Sequence, residues 1–329
     1  MNDKIMVSVT CTVYNHEKYL RKCLDGFVMQ KTNFKFEVLI HDDASTDASA
    51  DIIREYEKKY PDIIKPIYQT VNQYSQGIKI SPTYLYPRAK GKYLAWCEGD
   101  DYWCDENKLQ KQFDVMEKHP ECSICVHKVE SILENGKKLE KFHPAFNINK
   151  RIVDNDAYVE LMTDRSYYLF QTSSYFIRKS LFDYKNKPEF WANSDVGDVP
   201  IILYCVSKGN LYYIDEVMSC YRNNSIGSWT NTVSYDTSKL IAHTKKMLEL
   251  FKSYDKYLDY KYTNNIKKIE KRIEFKISLY ENNSKESLKK KYRPFFNKLS
   301  NKEKTFVVLN AYLPHLMKLY KKTKDKNNA

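Results

Sequence analysis

Apolar and polar positions in the first half of the chain switch repeatedly between two periods. Val7-Ser8-Val9-Thr10-Cys11-Thr12-Val13 alternates like a strand rich in branched side chains. After Tyr14-Asn15, the residues Tyr19, Leu20, Cys23, Leu24, Phe27 and Val28 recur at helical spacing within 17–30. The pattern then repeats. A strand over 36–41 leads into Asp42-Asp43-Ala44-Ser45-Thr46-Asp47, whose turn and capping residues open a helix over 48–60. A strand over 63–68, a short helix over 82–90 and a strand over 93–97 follow, the last ending at Glu98. Beyond Asp105 the pattern predicts a helix to about 119, a strand at 123–127, a variable loop rich in Lys and Asn, and a strand at 173–177.

Strand and helix in alternation predict an α/β fold with a mostly parallel central sheet flanked by helices, and such sheets bind ligands outside the carboxyl ends of their strands. Three polar clusters fall at those ends: 12–15, Asp42-Asp43 and Glu98-Gly99-Asp100-Asp101. They are expected to converge on one crevice.

Past Trp229 the character changes to long, Lys-rich, helix-compatible stretches, which places a boundary near 235: a catalytic domain over 1–235 and a helical basic C-terminal region over 236–329. Pro294 and Pro314 are expected to break the helices there. Charge sharpens the boundary. From Lys239 onward 24 Lys and Arg face 9 Asp and Glu, a net of +15, which leaves −3 for the preceding part of a chain whose total is +12. Such a segment suits an anionic membrane surface, and Phe306-Val307-Val308-Leu309 with the apolar residues of 313–319 would let a helix lie in the interface; the alternative is a solvated helical face. No nucleic-acid partner is expected.

Composition narrows the setting. Apolar residues make up 42% of the chain, enough for a core, yet no run of about 18 apolar residues exists to cross a bilayer. The first residues lack the regions of a secretory signal, and eight cysteines are scattered through apolar runs, so the expected location is the cytoplasm, peripheral on the inner face of the membrane. Cys122 and Cys125 have the spacing of a redox or zinc pair without a second pair beside them. With eight glycines and no Gly-x-x-x-x-Gly-Lys loop, nucleoside triphosphate hydrolysis is disfavoured.

Adjacent carboxylates at a strand end repel one another and lose solvation unless a cation or hydrogen-bond donors compensate them. Asp100-Asp101 therefore has two readings. One is a ligand set for Mg²⁺ or Mn²⁺, hard ions that would also bridge a diphosphate; the other is an acidic turn capping the helix near Asp105. Asp42-Asp43 is equally ambiguous.

Taken in order over residues 6–230, these motifs resemble the family 2 glycosyltransferases of the GT-A fold. The opening strand through Tyr14-Asn15, the segment Glu37 to Asp47, Glu98-Gly99-Asp100-Asp101-Tyr102-Trp103, Gly197-Asp198-Val199-Pro200 and Tyr221-Arg222 all match the family's pattern. The resemblance implies that Thr12, Val13 and Tyr14 line the nucleotide pocket, that Asp43 accepts the uracil imide N–H, that Asp100 contacts the ribose and that Asp101 coordinates the metal. Asp198 is implied as the base, with Asp195 as a rival three residues earlier. A carboxylate facing the imide separates uracil from cytosine by hydrogen-bond polarity, which favours a UDP-sugar donor.

Relatives often carry a histidine after Tyr-Arg, whereas this chain has Asn224, a weaker ligand for a transition metal. Residues 225–229 are expected to form a flap over the donor. The resemblance thus implies an inverting transfer from a UDP-sugar to a saccharide or lipid-linked saccharide acceptor, in capsule, O-antigen or similar cell-surface glycan assembly. Two rivals stand beside it: a nucleotidyltransferase making nucleotide sugars, which wants a glycine-rich basic loop after the first strand, and a non-catalytic sugar- or polyanion-binding protein.

Overall fold

A computed structural model describes residues 4–166, 168–194, 197–223, 225 and 236–315. The chain divides into two compact units, one over 1–192 and 196–231, the other over 193–195 and 232–329. Asp195, Asn224, residues 226–235 and everything past 315 lie outside the described residues.

The first unit is built on a ten-stranded sheet: β1 (Ile5–Val13), β2 (Lys35–Asp42), β3 (Ile64–Tyr68), β4 (Tyr93–Trp96), β5 (Tyr102–Trp103), β6 (Cys122–Ile132), β7 (Lys138–His143), β8 (Ile152–Val153), β9 (Phe176–Arg178) and β10 (Asn210–Arg222). The strands pair in the order β3-β2-β1-β4-β9-β6-β10-β5, with β7 on β6 and β8 on β10. β1, β2, β3 and β4 run parallel, β6 and β10 pair in parallel, and β9 runs against β4 and β6 between the two groups. The result is a mixed sheet, parallel through β3-β2-β1-β4 and β6-β10 and antiparallel elsewhere, flanked by helices in a GT-A-like arrangement. β1 is buried on both faces, with Val7, Val9, Cys11 and Val13 on one and Ser8 and Thr10 on the other, as a central strand covered by helices should be. The buried Ser8 hydroxyl donates to Glu37 Oε1 at 2.7 Å and accepts the Gly91 N–H at 2.8 Å, so its polarity is satisfied.

Helices α1 (Glu17–Val28), α2 (Ser49–Lys59), α3 (Lys108–Lys118), α4 (Asn155–Asp164), α5 (Glu189–Ala192) and α6 (Asp198–Lys208) flank the sheet. The core cluster joins β1, β2 and β4 to Leu20, Cys23, Leu24 and Phe27 of α1, Ile52 and Ile53 of α2, and Leu109 and Met116 of α3. The expected strand at 173–177 is displaced: Thr172–Ser174 is a 3-10 turn and the strand begins at Phe176. The expected loop after 127 holds the rest of β6 together with β7, β8 and α4.

The second unit contains α7 (Thr237–Tyr257), α8 (Thr263–Tyr280), α9 (Ser284–Ser287), α10 (Arg293–Phe296) and α11 (Asn301–Tyr312). Asp255 ties the α7–α8 turn by accepting the Tyr262 N–H and the Thr263 hydroxyl, both at 2.7 Å. Pro294 sits in the first turn of α10, where proline is tolerated, and α11 stops before Pro314. Four consecutive apolar residues, 306–309, wrap around α11 and present no single apolar face: Val307 is buried, while Val308 and Leu309 are 39% and 38% exposed. Among the described residues no helix is long and apolar enough to cross a membrane.

Candidate active site

Hydrogen bonds stitch the three polar strand ends together. Thr12 O accepts the Gly99 N–H at 3.1 Å and Val13 O accepts the Asp43 N–H at 2.9 Å, so the ends of β1, β2 and β4 form one continuous edge. Tyr14 projects from it, 46% exposed. Asn15 has a left-handed backbone (φ 55°), a conformation Asn adopts more readily than most residues. Its side chain accepts the Thr46 N–H at 2.8 Å and its own N–H donates to Ser45 Oγ at 3.0 Å. His16 N–H donates to Ser49 Oγ at 2.9 Å, Glu17 N–H to Asp47 Oδ2 at 3.0 Å, and Ala48 N–H returns to Glu17 Oε2 at 2.9 Å. The Ser45-Thr46-Asp47 turn therefore clamps the β1 loop as well as leading into α2.

Asp42 and Asp43 are both buried but differ in role. Asp43 accepts the Gln73 N–H on Oδ1 at 2.8 Å and the Tyr74 N–H on Oδ2 at 3.0 Å, leaving each oxygen one lone pair for a ligand. Asp42 accepts the Ser45 N–H at 3.4 Å, and its other oxygen is buried without a protein partner; burial pushes its carboxyl above the usual range against the bonds from Ser45. His41 stacks on Tyr84 at 4.8 Å, and burial lowers its imidazole, favouring the neutral form.

Gly99 cannot be replaced without disturbance. A Cβ there would lie 2.7 Å from His16 Nδ1 and 3.0 Å from Val13 Cγ2, so glycine lets the acidic loop close onto the end of β1. Beyond it, Trp103 packs edge-on against Phe27 and donates its indole N–H to Ser173 O at 3.1 Å.

Arg222, buried at the end of β10, holds the acidic loop from the other side. Its main-chain N–H donates to Asp101 Oδ1 at 2.8 Å and its Nε to Asp100 O at 2.9 Å, while Nη1 donates to Glu134 O at 2.6 Å. Ser225 Oγ donates to Asp100 Oδ2 at 2.6 Å, and Thr172 Oγ1 donates to Glu98 Oε2 at 2.8 Å. These donors do not balance the negative charge. Burial, then the fields of Asp100 and Glu98, push the Asp101 carboxyl well above the usual range. Glu98 is pushed up to about 7, chiefly by burial, with Asp100 and Asp198 adding to the rise against the Thr172 hydroxyl. Asp198 opens α6, accepts the Val199 N–H at 2.8 Å and is itself raised by burial. Its field reaches Glu98, the smallest of the contributions to that carboxyl's rise.

Thr12, Val13, Asp43, Asp100 and Asp101 thus meet at one edge, with Tyr14 at its rim, while Asp198 stands at the start of α6 with its field reaching Glu98. Asp195 and Asn224 lie outside the described residues, as does the expected flap after Ser225. Sequence reading missed Thr172 and the strut role of Arg222. The hydroxyl run Thr172-Ser173-Ser174 was the available signal for the first. Cys122 and Cys125 are separately buried in β6, where burial pushes both thiols up to about 12, as suits inert hydrophobes.

Residues 8–181, more than half of the chain, match the pattern described as glycosyl transferase family 2. An uncharacterised protein of Mycobacterium tuberculosis is 36% identical over 227 residues, which cover 68% of this chain and 60% of that protein's length. A putative teichuronic acid biosynthesis glycosyltransferase of Bacillus subtilis, TuaG, is 30% identical over 141 residues, 43% of this chain and 53% of that one. Among solved structures, residues 1–349 of TarS from S. aureus superpose with a TM-score of 0.52 at 15% identity, covering 88% of this chain and 89% of that one, which is a likeness of fold. With its motifs gathered at one sheet edge and the family's pattern running through β1, β2, β4 and the acidic loop, the chain belongs to glycosyl transferase family 2.

Proposed function

We propose that this protein is an inverting glycosyltransferase that moves a hexose or N-acetylhexosamine from a UDP-sugar to a saccharide or lipid-linked saccharide acceptor. Its setting is cell-surface glycan assembly at the inner face of the cytoplasmic membrane. The observation that carries the reading is the acidic loop Glu98, Asp100 and Asp101 at the shared end of β1, β2 and β4, where burial and neighbouring acids raise Glu98 and Asp101 against the bonds from Arg222. The TarS fragment solved with UDP and the teichuronic acid relative support the donor type and the glycan setting.

A divalent ion fits this crevice on the chemistry of its donors. Among the described residues no three His, Cys, Asp or Glu side chains form a protein-only cage, so the ion would share Asp101 with the donor's diphosphate, as Mg²⁺ and Mn²⁺ commonly do. Bound there, Mn²⁺ or Mg²⁺ would supply the electrophile that stabilises the leaving diphosphate. One feature favours a second assignment within the pair. Each has one oxygen committed, Asp101 Oδ1 to Arg222 and Asp100 Oδ2 to Ser225, but Asp101 is 3% exposed and Asp100 is more open, which suits Asp100 for the ion and Asp101 for the strut.

The nucleotide would lie over Thr12, Val13 and Tyr14, with the uracil imide N–H donating to a spare lone pair of Asp43. Asp198 would take the acceptor proton. The N-terminus of α6 favours its anion while burial raises its affinity for a proton, and the two together poise a base nearer neutrality. Attack by the acceptor on the anomeric carbon needs no covalent nucleophile, so one carboxylate suffices. The nucleotidyltransferase rival loses ground because Tyr14-Asn15-His16-Glu17 is clamped by Ser45, Ser49 and Asp47 and offers no glycine-rich basic loop.

The test is a screen of UDP-sugars for hydrolysis by the full chain with Mn²⁺ and with EDTA. Metal-dependent release of UDP from one sugar class is the expected result. No release from any UDP-sugar, together with retained binding of glycans, would favour the non-catalytic alternative.

A further inference from the structure

A cleft of about 750 Å³ adjoins the acidic loop and plays no part in the chemistry above. Its walls are the first turns of α1, the turn joining β6 to β7, and the end of β10. Lys18, Lys22 and Arg222 bring positive charge to it, and Asn135 and Asn223 add amide groups. The opposing charge is Glu134, whose Oε1 accepts the Tyr19 hydroxyl at 3.1 Å and lies 4.0 Å from Lys18 Nζ, a loose pair between exposed side chains. Lys22 Nζ sits 4.0 Å above the Tyr102 ring, and the Arg222 guanidinium 4.4 Å over Tyr19.

Local helix energetics alone do not favour this placement of charge. Lys18 and Lys22 lie four residues apart, on one face near the start of α1, where the helix dipole disfavours cations and like charges repel. Local conflicts of this kind are expected at functional or strained positions. An anion in the cleft would relieve the repulsion, and the first turns of α1 would add to its attraction.

We propose that this cleft binds an oxyanion group, a phosphodiester or a uronate carboxylate, carried by the acceptor chain. Its role as an acceptor subsite rests on the transferase reading, whereas anion binding itself does not. The volume suits a short oligomer. Arg222 faces the cleft while bonding to Asp100 and Asp101, so acceptor engagement bears directly on the loop that would hold the donor.

The experiment titrates the full chain by calorimetry, in metal-free buffer, with tripolyphosphate, with trigalacturonate and with neutral maltotriose. At least one anion binds, weakening with salt, and maltotriose does not. Lys18→Gln/Lys22→Gln lowers anion affinity about tenfold or more, the worth of lost charge-assisted hydrogen bonds. Lys18→Arg/Lys22→Arg retains it. Lys290→Gln/Lys302→Gln, which removes the same charge from the basic second unit, leaves it unchanged. The stronger of the two anions tells phosphate from carboxylate. UDP affinity with Mn²⁺ is the same in the glutamine pair as in the parent. Equal anion affinity in the parent and Lys18→Gln/Lys22→Gln, or an equal loss in Lys290→Gln/Lys302→Gln, overturns the proposal. Failure of the parent to bind UDP would instead strike the transferase reading and leave the anion comparison intact.

Discussion

Asp42-Asp43 and Asp100-Asp101 look alike in sequence and behave differently in the fold. At the first pair Asp43 is met by two backbone N–H groups from residues 73 and 74, so its charge is compensated by neutral dipoles. At the second, Arg222 supplies one main-chain N–H to Asp101, a hydroxyl meets Asp100, and the neighbouring Glu98 and Asp198 add more negative charge. At the first turn Asp43 is met by neutral backbone donors while Asp42 keeps one buried oxygen without a protein partner; at the second, burial and neighbouring acids together raise Glu98 and Asp101. Partner inventory, rather than acid count, separates a carboxylate held by neutral donors from one raised by its acidic neighbours.

The largest effect that bears on this contrast comes from Asp198, whose environment resembles that of the second pair. Asp198→Asn is predicted to lower turnover by about two to four orders of magnitude, the worth of a positioned base, with donor affinity nearly intact. Steady-state kinetics on the identified donor checks this, and a mild effect there beside a severe one in Asp195→Asn would transfer the base to Asp195.

Arg222 is next. Arg222→Ala removes the Nε bond to Asp100 O and the Nη1 bond to Glu134 O from a buried site, and should destabilise the first unit by about 2–4 kcal/mol, read by chemical denaturation. A change below about 0.5 kcal/mol, the range of ordinary surface substitutions, would show that the strut is dispensable.

Asp43→Asn sharpens the comparison from the other side. It keeps an acceptor for one of the two N–H groups and turns an NH₂ toward the other, so a loss of about 1–3 kcal/mol in stability is expected along with weaker UDP binding. Weaker UDP binding at unchanged stability would mean that the two backbone bonds contribute little.

The smallest effect is a pH dependence. The folded Glu98 carboxyl, near 7, lies above its ordinary value of 4.5, so its contribution to stability is full below about pH 4.5 and is lost as pH rises through 7. Thermal unfolding of the metal-free chain should therefore show a decline between pH 5 and 8 that Glu98→Gln flattens, by a few degrees at most. Parallel curves for the two proteins would contradict the raised pKa.

Much of this arrangement was legible because β1, β2 and β4 obey simple periods and end in polar clusters. The region from 130 to 222 did not. β7 reads Lys138-Leu139-Glu140-Lys141-Phe142-His143, an exposed polar strand with no apolar face to announce it. β10 shifts register between Ile214 and Val217, where Asp215 and Glu216 face solvent and break the two-residue alternation. Thr172 stayed hidden for a related reason, since it lies just before the expected strand and opens a 3-10 turn that aims its hydroxyl at Glu98. The ambiguity of the Asp pairs could not be resolved in sequence at all, because their partners lie about 30 and 120 residues away.

The most direct test of the central claim is calorimetric titration of UDP into the full chain with Mn²⁺ and with EDTA, repeated for Asp100→Asn and Asp101→Asn. Both variants keep an oxygen for their present hydrogen-bond donor, so the fold is spared while the charge is removed. The account predicts Mn²⁺-dependent binding in the parent and a loss of that dependence in at least one variant, the deeper loss naming the ligand. Binding of equal strength with EDTA, or metal dependence untouched in both variants, would contradict it.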